Sequence, residues 1–383
     1  EGALCDCARP NGAIYKQGDC NWPIHDWGFE FTAADIVNQA ELLLISRDLA
    51  AIQKYVPNLE GACEFIETRR DPKNGLFLVG PGSDLLAPSF GGCRQPDGTF
   101  GRAYLAGLSV TYAAALERMV ELYRLTGDKD KLRIYNKRFE ITRKSLPELL
   151  TKDGYFVRSI DPDGTKHGVI GQDKYGYFSV AANVDAIAHR QVDMTTAGKI
   201  FAQIEAEPKL RPHDFLIPNY PSYDDMYDNW GSREHGSINV YGMWVNGGVW
   251  STMEARTILA YYRLGKYEDI RRSNAHSMRL ADQYQMDAPL KDFGGTVWFD
   301  QELTNLCYDA LGIPAATIRG LFEYVYKADR LILYPHIPPS ISEYSQSEPI
   351  RWGRKRITIS IKNGGPNVAS AKLNGRAVKS DND

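Results

Sequence analysis

The chain has 383 residues, with 45 basic against 48 acidic and a net charge of -3, a balance that leaves no global field for gripping nucleic acid or an anionic membrane. Its length exceeds the usual domain, so one large unit with a small appendage is expected. No apolar run approaches the ~20 residues needed to cross a bilayer, and Glu1 opens into a Cys-, Gly- and Pro-containing segment with no basic or apolar leader; any leader is expected to have been removed or to lie outside this sequence.

From Phe31 to Val56 apolar residues recur at Ala33, Ile36, Ala40, Leu43 and Leu44, one helical face, which predicts a single long helix stopped by Pro57. Between Tyr104 and Leu125 a second helix carries Leu105, Leu108, Tyr112, Ala115, Met119 and Leu122 on one stripe, and Gly127 ends it. Leu132, Tyr135, Phe139, Thr142, Leu146 and Leu149 make the facing stripe of an antiparallel hairpin. The pattern returns where Ala255, Ile258, Leu259 and Tyr262 lead to Gly265, followed by Tyr267, Ile270, Met278, Ala281 and Tyr284. The two corners share sequence, Tyr123-Arg124-Leu125-Thr126-Gly127 and Tyr262-Arg263-Leu264-Gly265, which predicts a toroid of repeated helical hairpins. Residues 71–101, 153–176, 211–250 and 287–300 read as loops rich in Gly, Pro, Asp and Trp, and loops so long are uncommon unless they build a site.

Pro314 fits the first turn of a last helix through Ile318, Leu321, Phe322 and Val325. The period then changes from 3.6 to 2: Leu331, Leu333, Ile357, Ile359 and Ile361 alternate with polar residues, and Asn374-Gly375 signals a hairpin. The expected divisions are an N-terminal segment (1–27), a helical domain (28–327) and a small β-domain (328–383) that stops abruptly after its hairpin, as though the natural chain continues.

Seven Trp, 22 Tyr and 14 Phe lie in good part beside Gly, Asn and Asp. Such rings suit the apolar C–H face of a sugar, although an ordinary aromatic core is the alternative. The cysteines Cys5, Cys7, Cys20, Cys63, Cys93 and Cys307 are too few and scattered for a disulfide framework. Cys5, Cys7, Cys20 and His25 match no standard zinc spacing, so no metal and no cofactor are expected. A phosphate loop, a Gly-x-Ser-x-Gly elbow and a His-Glu-x-x-His helix are absent.

Four passages carry a resemblance: Asn21-Trp22-Pro23-Ile24-His25-Asp26-Trp27, Gly82-Ser83-Asp84, Tyr241 to Trp250, and the run from Leu311-Gly312-Ile313-Pro314 to Pro338-Pro339. With their order around the hairpins, the chain resembles the six-hairpin glycosidase superfamily, in particular bacterial α-L-rhamnosidases and α-glucosidase relatives. The resemblance covers nearly the whole chain. It implies a mainly α fold, an (α/α)6 barrel followed by a small C-terminal β-domain, a carbohydrate substrate, and a periplasmic or extracellular setting.

Glycoside hydrolysis usually takes one protonated carboxyl and one carboxylate, and five acids on loops are candidates. Asp26 stands between His25 and Trp27, where an aromatic wall could raise its pKa, or it caps the helix that follows. Asp84 sits where the resemblance places a Gly-Asp-Trp motif, but Leu85 replaces the Trp, and a plain turn Asp is the alternative. Glu234 lies between Arg233 and His235 in the densest polar and aromatic cluster, as a poised base, a sugar clamp or an exposed Arg–Glu pair. Asp300 and Glu302 follow Trp298 near the point where relatives supply a catalytic acid from a Trp-Glu pair; here Phe299 intervenes. Trp22, His25, Trp27, Trp230, His235, Trp244, Asn246 and Trp298 are the candidate sugar-binding residues. A sugar epimerase or polysaccharide lyase, with His235 or Tyr241 as base, is the rival enzyme, and a non-catalytic carbohydrate-binding protein is the rival suggested by the altered Trp298-Phe299 passage.

Overall fold

The computed structural model describes residues 29–79, 102–172, 176–211, 216–221, 243–249, 251–281, 295–296, 312–365 and 367–380. The expected first helix is two: α1 (Phe29–Ser46) and α2 (Leu49–Glu67). The break falls at Arg47, with φ of +52°, and at Asp48, whose carboxylate accepts from the amides of Ala50 and Ala51, a side-chain cap that starts a new helix. Pro57 does not stop it. It lies on the exposed face of α2, where the carbonyl that loses its donor can turn to water.

Two short strands, β1 (Leu78–Val79) and β2 (Ala103–Leu105), lead to the hairpin α3 (Ala106–Thr126) and α4 (Lys129–Ser145). Gly127 takes φ +80° and donates to Tyr123, ending α3 as expected. Next come β3 (Ser159–Ile160), β4 (Lys166–His167), β5 (Phe178–Ser179) and a third hairpin of α5 (Val180–Ala188) and α6 (Met194–Ala206). Then β6 (Asn219–Tyr220) and β7 (Met243–Val249) precede α7 (Ser251–Arg263) and α8 (Tyr267–Ala281), whose corner Gly265 has φ +67°. After β8 (Gly295–Thr296) comes α9 (Gly312–Gly320). The stretches read as plain loops thus carry β1, β3, β4, β6, β7 and β8, and β2 falls where the second helix was expected to begin: β1, β2, β3 and β4 form an antiparallel sheet in that order, β5 pairs with β6, and β7 with β8.

The odd-numbered helices pack against one another in sequence, α1 on α3, α3 on α5, α5 on α7 and α7 on α9, while α2, α4, α6 and α8 pack outside. Burial explains the division. Sixteen residues of α3 are buried but three of α4, as expected for a helix enclosed all round and one with a single apolar stripe. The inner helices run parallel: Glu30 and Gly107, each second in its helix, touch, and Arg118 reaches Glu41, each thirteenth.

The last helix ends at Gly320, earlier than expected, and Val325 begins β9 (Val325–Tyr326), which pairs with β10 (Leu331–Ile332). Further hairpin-like pairs follow: β11 (Glu343–Ser345), β12 (Ile350–Trp352), β13 (Lys355–Ile357), β14 (Ser360–Lys362), β15 (Ala371–Leu373) and β16 (Arg376–Val378), with β11 on β14, β12 on β13 and β15 on β16. Asn374 (φ +50°) and Gly375 (φ +80°) make the predicted tight turn. Phe322, Tyr324 and Ile337 form the core of this part, with Tyr344, Ile350, Ile359 and Ile361 against it. It docks on the C-terminal ends of the inner helices: Arg47 donates to the carbonyls of Lys327 and Ala328 and lies over Trp352, and Lys327 reaches Glu117 at 2.7 Å.

Candidate active site at the mouth of the toroid

Among the described residues, the C-terminal strands therefore cover one end of the toroid, and the N-terminal ends of the inner helices form the other, the mouth. Around the covered end the inner helices and the chain that caps them share a polar layer: Arg319 pairs with Glu41 at 2.5 Å, the amide of Ala328 donates to Glu121 at 2.9 Å, and Arg190 and His336 both bind Glu323. Burial opposes charge on Glu323, but the hydrogen bonds from His336 and Arg190 prevail and hold its carboxyl below the ordinary range. Burial, and then the Arg118 guanidinium nearby, hold the His189 imidazole down to about 4.

At the other end, three side chains from three helices meet. Arg256, sixth in α7, donates Nε–H to Asp185 Oδ1 at 3.1 Å and a second bond to Oδ2; Asp185 is sixth in α5. The same guanidinium lies 3.6 Å from Glu30 Oε1 of α1. Since α1 and α7 are not ring neighbours, this contact crosses the lumen. Side-chain exposures of 1% for Glu30, 8% for Asp185 and 15% for Arg256 make the cluster a floor rather than a rim. Gly107 permits it: a Cβ there would stand 2.6 Å from Glu30 Oε2 and 2.9 Å from Cδ. Chemically, a guanidinium fixed between two carboxylates offers oriented donors and acceptors suited to a polyol.

Above this floor the short strands form the wall. The amide of Ala106 donates to Arg158 at 3.0 Å, joining the start of α3 to the β1–β4 sheet, and Tyr104 donates to Asp71 at 2.6 Å. His167 on β4 is buried and 2.9 Å from Asp161. Asn183 of α5 bonds the backbone of Phe156 through both ends of its amide. In the first turn of α7, Glu254 accepts from the amide of Leu216 at 2.7 Å and from Ser273; burial pushes its carboxyl above the ordinary range.

Asp26, Asp84, Glu234, Asp300 and Glu302 lie outside the described residues, as do Trp22, His25, Trp27, Trp230, His235 and Trp298, and the cysteines other than Cys63. Trp244 and Asn246 lie on β7, the strand that leads into α7. What is described is where the intervening segments attach. Residues 1–28 run into the start of α1; residues 80–101 are flanked by Val79 and Arg102, either side of the β1–β2 pairing before α3; residues 222–242 join β6 to β7 before α7; and residues 297–311 join β8 to the start of α9. Every candidate acid thus belongs to a segment tied to the mouth. The sequence reading missed Glu30, Asp185 and Arg256 because they sit on helices, not loops; the available signal was a charge inside a helix with no polar face.

Comparison with solved structures places this geometry. A mannosylglycerate hydrolase of Thermus thermophilus, in complex with glucose, superposes with a TM-score of 0.55 at 13% identity, over 82% of this chain and 86% of that one. A rhamnosidase of a Bacillus species gives 0.57 at 14%, over 94% and 33%, and a sialidase 0.58 at 14%, over 88% and 30%. The fold is that of the six-hairpin glycosidases. This (α/α)6 barrel with its C-terminal strands therefore agrees with the expected fold class, and it spans about a third of the length of the rhamnosidase and the sialidase. No family model and no curated protein matches the chain.

Proposed function

We propose that the chain is a glycoside hydrolase that cleaves a glycosidic bond in an oligo- or polysaccharide by an inverting, two-carboxylate mechanism at the mouth of the barrel. The observation that carries this reading is the common anchoring of the segments bearing Asp26, Asp84, Glu234, Asp300 and Glu302 around a floor of Glu30, Arg256 and Asp185. In a closed toroid an acid ahead of an early inner helix can face one ahead of a late helix across a bound sugar. The roles assigned are Asp84 as the proton donor to the leaving oxygen and Glu234 as the base that activates water from the opposite face, separated by roughly 6.5 to 9.5 Å so that water fits. Trp22, Trp27, Trp230, Trp244 and Trp298 supply the stacking walls, with His25, His235 and Asn246 binding hydroxyls, and no cofactor is required. The mannosylglycerate hydrolase and the rhamnosidase among the solved neighbours support the substrate class in kind, not in detail.

The test is a panel of aryl glycosides, with the configuration of the first product read by NMR. Amide variants at the five acids keep shape but remove the proton or the charge, and at the true pair turnover should fall by about 10² to 10⁴. Near-normal turnover in all five, on a substrate the wild type cleaves, overturns the mechanism.

A further inference from the structure

We propose that the outer face of the second hairpin is a binding track for an anionic polysaccharide, of the polyuronate kind, that runs along α4 toward the mouth. In a chain of net charge -3, the 17 residues of α4 hold seven Lys and Arg against two acids, Asp130 and Glu140. Packing uses only part of this charge. Lys131 and Arg138 turn inward to Glu60 and Glu64 of α2, at 2.9 and 2.8 Å, and Arg133 is 3.6 Å from Asp130. Lys129, Lys137, Arg143 and Lys144 are exposed and have no acidic partner among the described residues.

Shape agrees with charge. A shallow, open depression along this face of the helix is lined by Lys129, Leu132, Arg133, Asn136, Lys137 and Glu140. These positions recur every three or four residues, so they form one stripe roughly 16 Å long at 1.5 Å per residue, enough for a few sugar units. The stripe mixes cations for carboxylates, an amide for hydroxyls and apolar surface at Leu132 for C–H faces; Ile134 and Ile141, 41% and 37% exposed, flank it. A second shallow depression of about 210 Å³, lined by Arg69, Arg70 and Arg102 with Asp71, lies where the end of α2 meets β1 and β2. Arg70, paired with Glu67 at 2.7 Å, is bonded to buried Thr142 of α4 at 2.9 Å, which ties the last turns of α4 to the mouth. The exposed Arg143 and Lys144 in those last turns therefore carry the basic stripe toward the mouth. A membrane fits less well, because the broad apolar side of α4 faces the barrel; duplex nucleic acid would leave Leu132, Ile134 and Ile141 without use.

The probe is polygalacturonate in native affinity electrophoresis of the full chain, with neutral pullulan as control. Retardation should occur with the first polymer alone and weaken as salt rises from about 50 to about 300 mM, because exposed charges are screened. The variant K129Q/K137Q/K144Q, with an unchanged thermal midpoint, should bind at least about tenfold more weakly, and K129R/K137R/K144R should bind like the wild type. Equal retardation by pullulan, wild-type binding by the glutamine variant, or tighter binding to duplex DNA or phosphatidylglycerol vesicles at equal charge overturns the proposal. Binding needs no turnover, and Asp84→Asn should bind normally, so failure here is distinct from failure of the hydrolase reading.

Discussion

Replacing Arg256 by Met tests whether the floor of the mouth is a single charged unit. At separations of 3.1 Å to Asp185 and 3.6 Å to Glu30, each attraction is about 5 kcal/mol at an effective dielectric near 20. Desolvation of three enclosed groups offsets much of that gain, so the intact cluster contributes little net stability. Removing Arg256 is different, since two enclosed carboxylates lose the guanidinium they share, and the expected cost is about 3 to 5 kcal/mol. The assay is urea unfolding of wild type, Arg256→Met, Asp185→Asn and the double variant. Because the two side chains act together, the double variant should recover about 2 kcal/mol relative to additivity. A loss below about 1 kcal/mol for Arg256→Met, or additivity within about 0.5 kcal/mol, would refute the description of this cluster as coupled.

Gly107→Ala should destabilise by about 1 to 3 kcal/mol in the same assay: the new Cβ meets the Glu30 carboxylate at 2.6 to 2.9 Å, and overpacking outweighs the roughly 1 kcal/mol that Ala gains over Gly in a helix; an unchanged midpoint would contradict the contact. His189 gives a pH dependence. Its folded value of about 4 lies below the ordinary 6.5, so the unfolded chain binds the extra proton, and stability present above pH ~6.5 is lost as pH falls toward 4, by roughly 3 kcal/mol in full. His189→Gln should lack that component, so the gap between wild type and variant should shift by about 2 to 3 kcal/mol between pH 7 and 4.5; a constant gap would rule out an enclosed neutral imidazole.

How far the sequence could be read depended on whether an element signals itself locally. The α3–α4 and α7–α8 hairpins did so, because Gly127 and Gly265 must take positive φ at their corners and the outer helices carry one apolar stripe. The first break did not. Pro57 is the louder signal, but it sits harmlessly on an exposed face, while Asp48 ends and restarts the helix by a cap that looks like any surface acid. The α5–α6 hairpin escaped for the opposite reason: eight of the nine residues of α5 are buried, so it has no polar face and no period to detect.

The same physics bears on the candidate site. Acids on Gly- and Trp-rich loops stand out in a sequence, and the five candidates lie outside the described residues, in segments that attach at the N-terminal ends of the inner helices. The floor is hidden, since Glu30, Asp185 and Arg256 come from helices that meet only once the ring has formed. A usable rule follows from the inward-facing positions of the inner helices, where Glu30, Glu121 and Asp185 are buried. A charge there cannot reach outside water, and an unpaired buried charge is too costly to keep. It must find an opposite charge across the lumen or on whatever covers an end. Glu30 does the first, 3.6 Å from Arg256; Glu121 of α3 does the second, taking the amide of Ala328 and lying 3.7 Å from Lys327. Charges in otherwise apolar helices of a toroid therefore mark its lumen, and which end they face separates floor from seal.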